Sequence, residues 1–239
     1  MSKLVYGRNT VLSSLNEGEV ISIFVKEDLK DQRIIDLAKK KNATIKYMNL
    51  KELDKMSNYS NHQGVVAEIN DYHYSSLDEI VSYSRKQDHP LILILDEIAD
   101  PHNLGAILRS ADAFNVDGII MKNRNQVLVN ATVFKVSTGA ANYVKVAVVS
   151  NLTNAIKRLK DEGYWIYAAD GSAKEDYSKQ NYSGPTALVV GSEGFGISRL
   201  VLENSDIIIK IPMYGHVNSL KDSVATGILL SRIRNDVKK

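Results

Sequence analysis

Cysteine is missing from this 239-residue chain, which excludes disulfides, thiolate nucleophiles and cysteine-held metals and suits a reducing cytoplasm. Proline is scarce, at 4 residues, and no low-complexity tract interrupts the sequence. Long apolar runs are missing too. None approaches the ~20 residues that span a bilayer, and the opening Met1-Ser2-Lys3-Leu4-Val5-Tyr6-Gly7-Arg8 lacks the apolar core of a signal peptide. The expectation is a cytoplasmic protein without membrane contact. Charge of one sign is weak as well. The formal net charge is +2 and the pI is near 8.5, below the value of ~9 at which charge alone marks a nucleic-acid binder. Lys39, Lys40, Lys41 and Lys46 could form a local basic patch, although a solvated helix end is the simpler account. Neither phosphate-loop pattern, GxGxxG or GxxxxGK[ST], occurs. His62, His73, His89, His102 and His216 show no metal-ligand spacing, so no metal is expected.

What is present is an ordinary globular composition, 44% hydrophobic and 24% charged, enough for one large domain or two small ones. The first seventy or so residues alternate strand and helix patterns: strands near Val20–Val25, Ala43–Met48 and Gly64–Ile69, and a helix near Arg33–Lys40. Residues 73–89 turn polar and aromatic around one short helix pattern, Leu77–Ser84, and are expected to link two domains. A second unit, 90–239, opens on Leu91-Ile92-Leu93-Ile94-Leu95, a continuous apolar run typical of a buried parallel strand. Further strands are expected at Gly118–Met121, Tyr143–Val149, Tyr164–Ala169, Ala187–Val190 and Ile207–Ile211, with helices at Leu152–Lys160 and Asp222–Arg234. Strands separated by helices predict an α/β fold with a mostly parallel, doubly wound sheet.

Three blocks carry the candidate chemistry, each at the end of such a strand. In Asp100-Pro101-His102-Asn103-Leu104-Gly105-Ala106-Ile107-Leu108-Arg109, Pro101 precedes a helix opening near Asn103, which could cap it or bond a ligand. Leu104, Ile107, Leu108, Ala111 and Phe114 share an apolar face, and Arg109 lies off it with Gly105 one turn earlier, leaving its guanidinium room to extend. The second block, Gly191-Ser192-Glu193-Gly194-Phe195-Gly196, holds a carboxylate inside a glycine turn whose backbone can approach a ligand closely. The third runs from Ile211-Pro212-Met213 to Ser219-Leu220-Lys221-Asp222-Ser223, where Ser219 or Asp222 could cap the last helix. Ligands of open α/β sheets settle outside the carboxyl ends of strands, where all three blocks sit.

Together these blocks resemble the signature motifs of the SpoU (TrmH) family of knotted RNA 2'-O-ribose methyltransferases. Tyr6-Gly7-Arg8-Asn9-Thr10-Val11-Leu12 and His62-Gln63-Gly64-Val65-Val66-Ala67 are similar to the family's amino-terminal RNA-binding domain, a ribosomal-protein-like α/β fold. The resemblance implies residues 1–72 for substrate RNA, residues 90–239 for S-adenosylmethionine and catalysis with a carboxyl-terminal trefoil knot, and a homodimer with active sites at the subunit interface. It implies methylation of a ribose, of guanosine, in large-subunit ribosomal RNA, with transfer RNA as the alternative substrate. Gly191, Ile211 and Leu220 would hold the cofactor through backbone groups, with Thr138, Gly139 and Met213 nearby. Arg109, Glu193, Asn103, Ser219 and Lys221 are the implied catalytic positions.

The family's third motif reads Ser-Leu-Asn followed by a small apolar residue, where this chain has Ser219-Leu220-Lys221-Asp222. Three readings stay open. Lys221 faces solvent or a phosphate and pairs with Asp222; or it crowds Arg109, loses basicity and becomes the proton acceptor; or the site is impaired and the protein chiefly binds RNA.

Overall fold

The computed structural model describes residues 2–17, 20–29, 31–70 and 72–236. The described chain forms two units, Met1–Tyr72 and His73–Lys239. The first unit contains β1 (Ser2–Tyr6), α1 (Arg8–Glu17), β2 (Val20–Lys26), α2 (Gln32–Lys40), β3 (Thr44–Met48), α3 (Leu50–Met56) and β4 (Val65–Asn70). Its sheet runs β1-β4-β2-β3, antiparallel except for the β2–β3 pair. Successive side chains of a strand face opposite ways, and β2 uses both faces. Ile23 and Val25 pack with Val11 and Leu15 of α1 and Ile34 and Ala38 of α2. Phe24 meets Leu53 of α3 on the other side. His62 is a buried structural residue: its Nε2 lies 3.0 Å from Asp54 Oδ1, and its Nδ1 accepts the Gly64 N–H at 3.0 Å.

The second unit holds α4 (Leu77–Ser84), β5 (Leu91–Asp96), α5 (Pro101–Ala113), β6 (Gly118–Lys122), α6 (Ala131–Val136), β7 (Val146–Val149), α7 (Leu152–Asp161), β8 (Trp165–Ala169), β9 (Glu175–Asp176), β10 (Thr186–Gly191), α8 (Arg199–Asn204), β11 (Ile207–Lys210) and α9 (Asp222–Asp236). The sheet order is β7-β6-β5-β10-β8-β11-β9, and its strands pair in parallel. β5 is buried at all of its residues, as its unbroken apolar sequence requires. The chain leaves β5 for β6 and β7 on one side, while β8, β11 and β9 lie beyond β10 on the other. The divide between β5 and β10 is therefore a switch point, where the strand order reverses.

The polar stretch 73–89 carries α4, which has a Ser76–Glu79 capping box and belongs to this unit. Its Ile80 and Val81 join the core cluster of Ile92, Ile94 and Val189. Gly118 makes that approach possible, because a Cβ there would lie 2.5 Å from Ile80 Cγ2. The strand expected from Tyr143 begins only at Val146, since Ala140–Asn142 forms a short 3-10 turn after Gly139 (φ 92°). Among the described residues no helix is long and apolar enough to cross a membrane.

Two buried carboxylates and a half-buried arginine tie the unit together. Asp96, at the end of β5, is fully buried; its Oδ1 lies 2.9 Å from Lys122 Nζ at the end of β6. Its Oδ2 accepts the Ser198 N–H at 2.8 Å, ahead of α8. Burial opposes the Lys122 ammonium, but hydrogen bonds to Glu97 and Asp96 outweigh it and raise its pKa. Asp117 accepts from Ser84 Oγ and the Leu91 N–H, both at 2.7 Å, while burial pushes its carboxyl up. Arg234 on α9 donates to the carbonyls of Phe114 (2.7 Å), His89 (2.8 Å) and Asn115. Removing Asp96 leaves the Ser198 N–H without its acceptor, while Lys122 keeps Glu97 as a partner. Asp96→Ala is therefore expected to cost about 1–3 kcal/mol in urea denaturation, and Asp96→Ala with Lys122→Ala less than the sum of the two single changes.

Candidate active site

The loops after β8, β10 and β11 surround a cavity of about 490 Å³. The β10 loop is a tight turn in which Ser192 and Gly196 exchange both backbone hydrogen bonds, at 3.1 and 2.8 Å. Gly191 has to be glycine: a Cβ there would lie 2.2 Å from the carbonyl carbon and oxygen of Gly196. Gly196 itself takes φ 66°, in the left-handed region. The turn presents Glu193 on the cavity wall and leaves the Phe195 ring 90% exposed. The β11 loop has no regular structure, because Pro212 ends the ladder. It lines the wall with Ile211, Met213, Asn218, Ser219 and Leu220.

The first block meets the third through a buried side-chain network. α5 begins at Pro101 rather than near Asn103, and Asp100 caps it by accepting the His102 N–H at 2.9 Å. Asn103 is consequently not the cap. It is buried, its Nδ2 donates to Asp222 Oδ2 at 3.3 Å, and its Oδ1 accepts from Ser223 Oγ at 3.4 Å. Asp222 is the first residue of α9, 6% exposed, and forms part of the cavity wall. Burial pushes its carboxyl pKa up, and the negative charges of Glu193 and Asp100 add to this; its own N–H and Asn103 act in the opposite direction. Among the described residues no side-chain bond from Ser219 or Asp222 caps α9; the Lys221 carbonyl accepts the N–H groups of Val224 and Ala225. The Lys221 side chain is exposed and outside the wall.

Gly191, Ile211, Leu220, Met213, Glu193 and Ser219 thus line one cavity, and Asn103 reaches it through Asp222. Thr138 and Gly139 do not line it; they form a left-handed turn after α6 (φ 51° and 92°). Arg109 is exposed on α5, outside the wall, and its guanidinium makes no hydrogen bond or ion pair among the described residues. The expected space beside Gly105 is not free, since a Cβ there would meet Val136 Cβ at 2.7 Å. That glycine serves the close packing of α5 on α6. Sequence reading missed Asp222, Asp170 and Gly171 as wall residues. The Asp-Gly pair directly after β8 was an available sign of a turn at a strand end, and Asp170 indeed accepts the Ser172 N–H at 2.8 Å.

The wall carries three acidic residues, Asp170, Glu193 and Asp222, and one lysine, Lys210, beside apolar Val190, Met213 and Leu220. Such a wall suits a ligand with a flat apolar part, a cationic centre and one anionic end, and S-adenosylmethionine has all three. Among the described residues no group of three or more histidine, aspartate or glutamate side chains is placed to hold a metal.

Residues 90–231 match the SpoU rRNA Methylase family, and residues 4–75 match the RNA 2'-O ribose methyltransferase substrate binding family. The chain is 42% identical over 234 residues to a Bacillus subtilis (strain 168) protein named as the TrmH family tRNA/rRNA methyltransferase YacO, covering 96% of this chain and 94% of that one. Its fold is similar to the AdoMet-bound rRNA methyltransferase of Sinorhizobium meliloti, with TM-score 0.64 and 24% identity over 98% of this chain and 87% of that one. The A. aeolicus TrmH/SpoU tRNA modifying enzyme is 30% identical, with TM-score 0.59, over 68% of this chain and 82% of that one.

Two outcomes follow from the geometry. Gly191→Ala forces the β10 turn open and should abolish cofactor binding in calorimetry, with only a modest change in melting temperature. Asp222 has a raised pKa, so its contribution to stability is present at low pH and lost as pH rises through the folded value. Asp222→Asn should therefore melt higher than wild type at neutral pH, and the gain should shrink as pH falls.

Proposed function

The chain belongs to the SpoU family of RNA methyltransferases and uses S-adenosylmethionine; from that premise we propose that it methylates a ribose 2'-oxygen, of guanosine, in large-subunit ribosomal RNA. The observation that carries this reading is the first unit, matched over residues 4–75 to a substrate-binding domain ahead of the methylase unit. In this reading residues 1–72 bind the RNA and 90–239 bind the cofactor and catalyse, α9 completes a trefoil knot, and the protein works as a cytoplasmic homodimer. Phe195 and Tyr214, 90% and 95% exposed on two of the three loops that bound the cavity, suit stacking on an unpaired base.

The cofactor, when bound, supplies a methyl group made electrophilic by its sulfonium. The chain has to align a hydroxyl behind that methyl, and good alignment is worth up to about 7–11 kcal/mol. Gly191, Ile211 and Leu220 hold the cofactor through backbone and shape, with Met213 beside them. A guanidinium offers a planar fork of donors, so Arg109 serves as a clamp on the neighbouring phosphate and a stabiliser of the developing alkoxide. Its place outside its own chain's cavity wall fits a dimer that brings it over the other subunit's cavity. Glu193 and Ser219 orient the hydroxyl from the wall. Asn103, with its Oδ1 taken by Ser223 and its Nδ2 bonded to Asp222, fixes the start of α5. The exposed Lys221 meets solvent or phosphate.

The test is transfer of labelled methyl from S-adenosylmethionine to unmodified ribosomal RNA, with transfer RNA in parallel. Label at a ribose 2'-oxygen of ribosomal RNA is the expected result. Label only in transfer RNA would move the substrate, and RNA binding without label would leave an RNA-binding protein. Arg109→Ala should lower turnover by about 10²-fold or more while cofactor affinity holds, and Lys221→Asn should leave turnover near wild type.

A further inference from the structure

The wall residue Asp222 is a carboxylate held in an unusual place. It is buried, fixed by Asn103 at 3.3 Å, and set at the first position of α9, where the helix dipole favours negative charge. It feels the charge of Glu193, which the rigid Ser192–Gly196 turn places on the same cavity wall. Two carboxylates that repel each other beside a cavity are relieved by a cation between them. Such a cation gains more there than in water, because part of the surroundings is apolar.

We propose that Asp222, together with Glu193, reads the positive charge of the cofactor's sulfonium, so that the site retains S-adenosylmethionine and releases the uncharged thioether product. The inference rests on the reading of this cavity as the cofactor site. Transfer breaks the sulfur–methyl bond, forms a carbon–oxygen bond to the ribose and sends the hydroxyl proton to solvent. The sulfur ends neutral, so the attraction vanishes when its work is done. Charge recognition by Asp222 therefore favours exchange of product for fresh cofactor. Asp222 is in this respect a specificity-determining residue rather than a proton acceptor.

The charged groups around Asp222 are Glu193 from the β10 turn, Asp100 at the start of α5, Lys221 beside it in the chain, and Lys210 and Asp170 elsewhere on the wall. Of these, only the carboxylates favour a cation. Lowering pH toward the carboxylate range should therefore weaken the preference.

The experiment is calorimetric titration of the full-length protein with S-adenosylmethionine, S-adenosylhomocysteine and sinefungin, whose amine carries a positive charge near the sulfonium position. Wild type should prefer both cations to S-adenosylhomocysteine. Asp222→Asn keeps an acceptor for Asn103 and removes the charge. It should lose about tenfold or more for the two cations, about 1.4 kcal/mol, and nothing for S-adenosylhomocysteine. Glu193→Gln, at an exposed turn, should shift the same ratio in the same direction even where Asp222→Asn folds poorly. Equal weakening for all three ligands in both variants would make the carboxylates mere packing and overturn the proposal. Wild type binding all three equally would overturn it while leaving the cofactor site intact. No binding of any of them would remove the cofactor site and the proposal with it.

Discussion

One buried carboxylate organises the working end of the sheet. Asp96 has no solvent to hydrate it, and a buried charge persists only where partners replace water. Its partners come from Lys122, which closes β6, and from the N–H of Ser198, which stands just ahead of α8 after the β10 turn. Three carboxyl ends are thereby held at one depth. The glycine turn can then pack so closely that Gly191 leaves no room for a methyl group against Gly196. The cavity wall inherits its shape from this tie. Glu97, next in the chain, takes a left-handed φ of 65° and shares Lys122 at 2.7 Å, so the corner after β5 is fixed by charge rather than by glycine.

A second tie joins α5 to α9. Asn103 lies between Asp222 and Ser223, and at the other end Arg234 holds the carbonyls that finish α5. Thr226 Oγ1 bonds the Asp222 carbonyl at 2.6 Å within the first turn of α9. The helix that carries the third motif is thus gripped near both ends by the helix that carries the first. Ser219 and Leu220 reach the cavity because α9 begins where Asn103 allows it to.

Much of the second unit was legible because its strands are short apolar runs that have no other home. Leu91–Leu95 and Ala187–Val190 admit hardly any reading but buried parallel strands. Elements with mixed patterns were not read: β1, an exposed edge strand, α1, whose apolar positions are few, and α6, a single short stretch. In the site, the glycine turn and Glu193 followed from local sequence, whereas the cavity-lining Ile211 and Leu220 came from the family resemblance alone. Gly105 did not, because its contact with Val136 depends on the packing of two helices. Asp222 was visible as a possible cap of the last helix and as a departure from the family's third motif, not as a wall residue. Its burial and its pairing are set by Asn103, 119 residues away, and no local pattern encodes that distance.

That same distance has a meaning in time. α9 follows every other described element, so during synthesis Asn103 waits for a partner that emerges 119 residues later. Contacts of such long separation close slowly, since the intervening chain has to be ordered first. Until they close, the cavity has only part of its wall: the β8 and β10 loops can be in place while Ser219, Leu220 and Asp222 are absent. A chain stalled or clipped before α9 would keep most of its sheet and be blind to the cofactor, so ligand capture becomes a mark of completed folding.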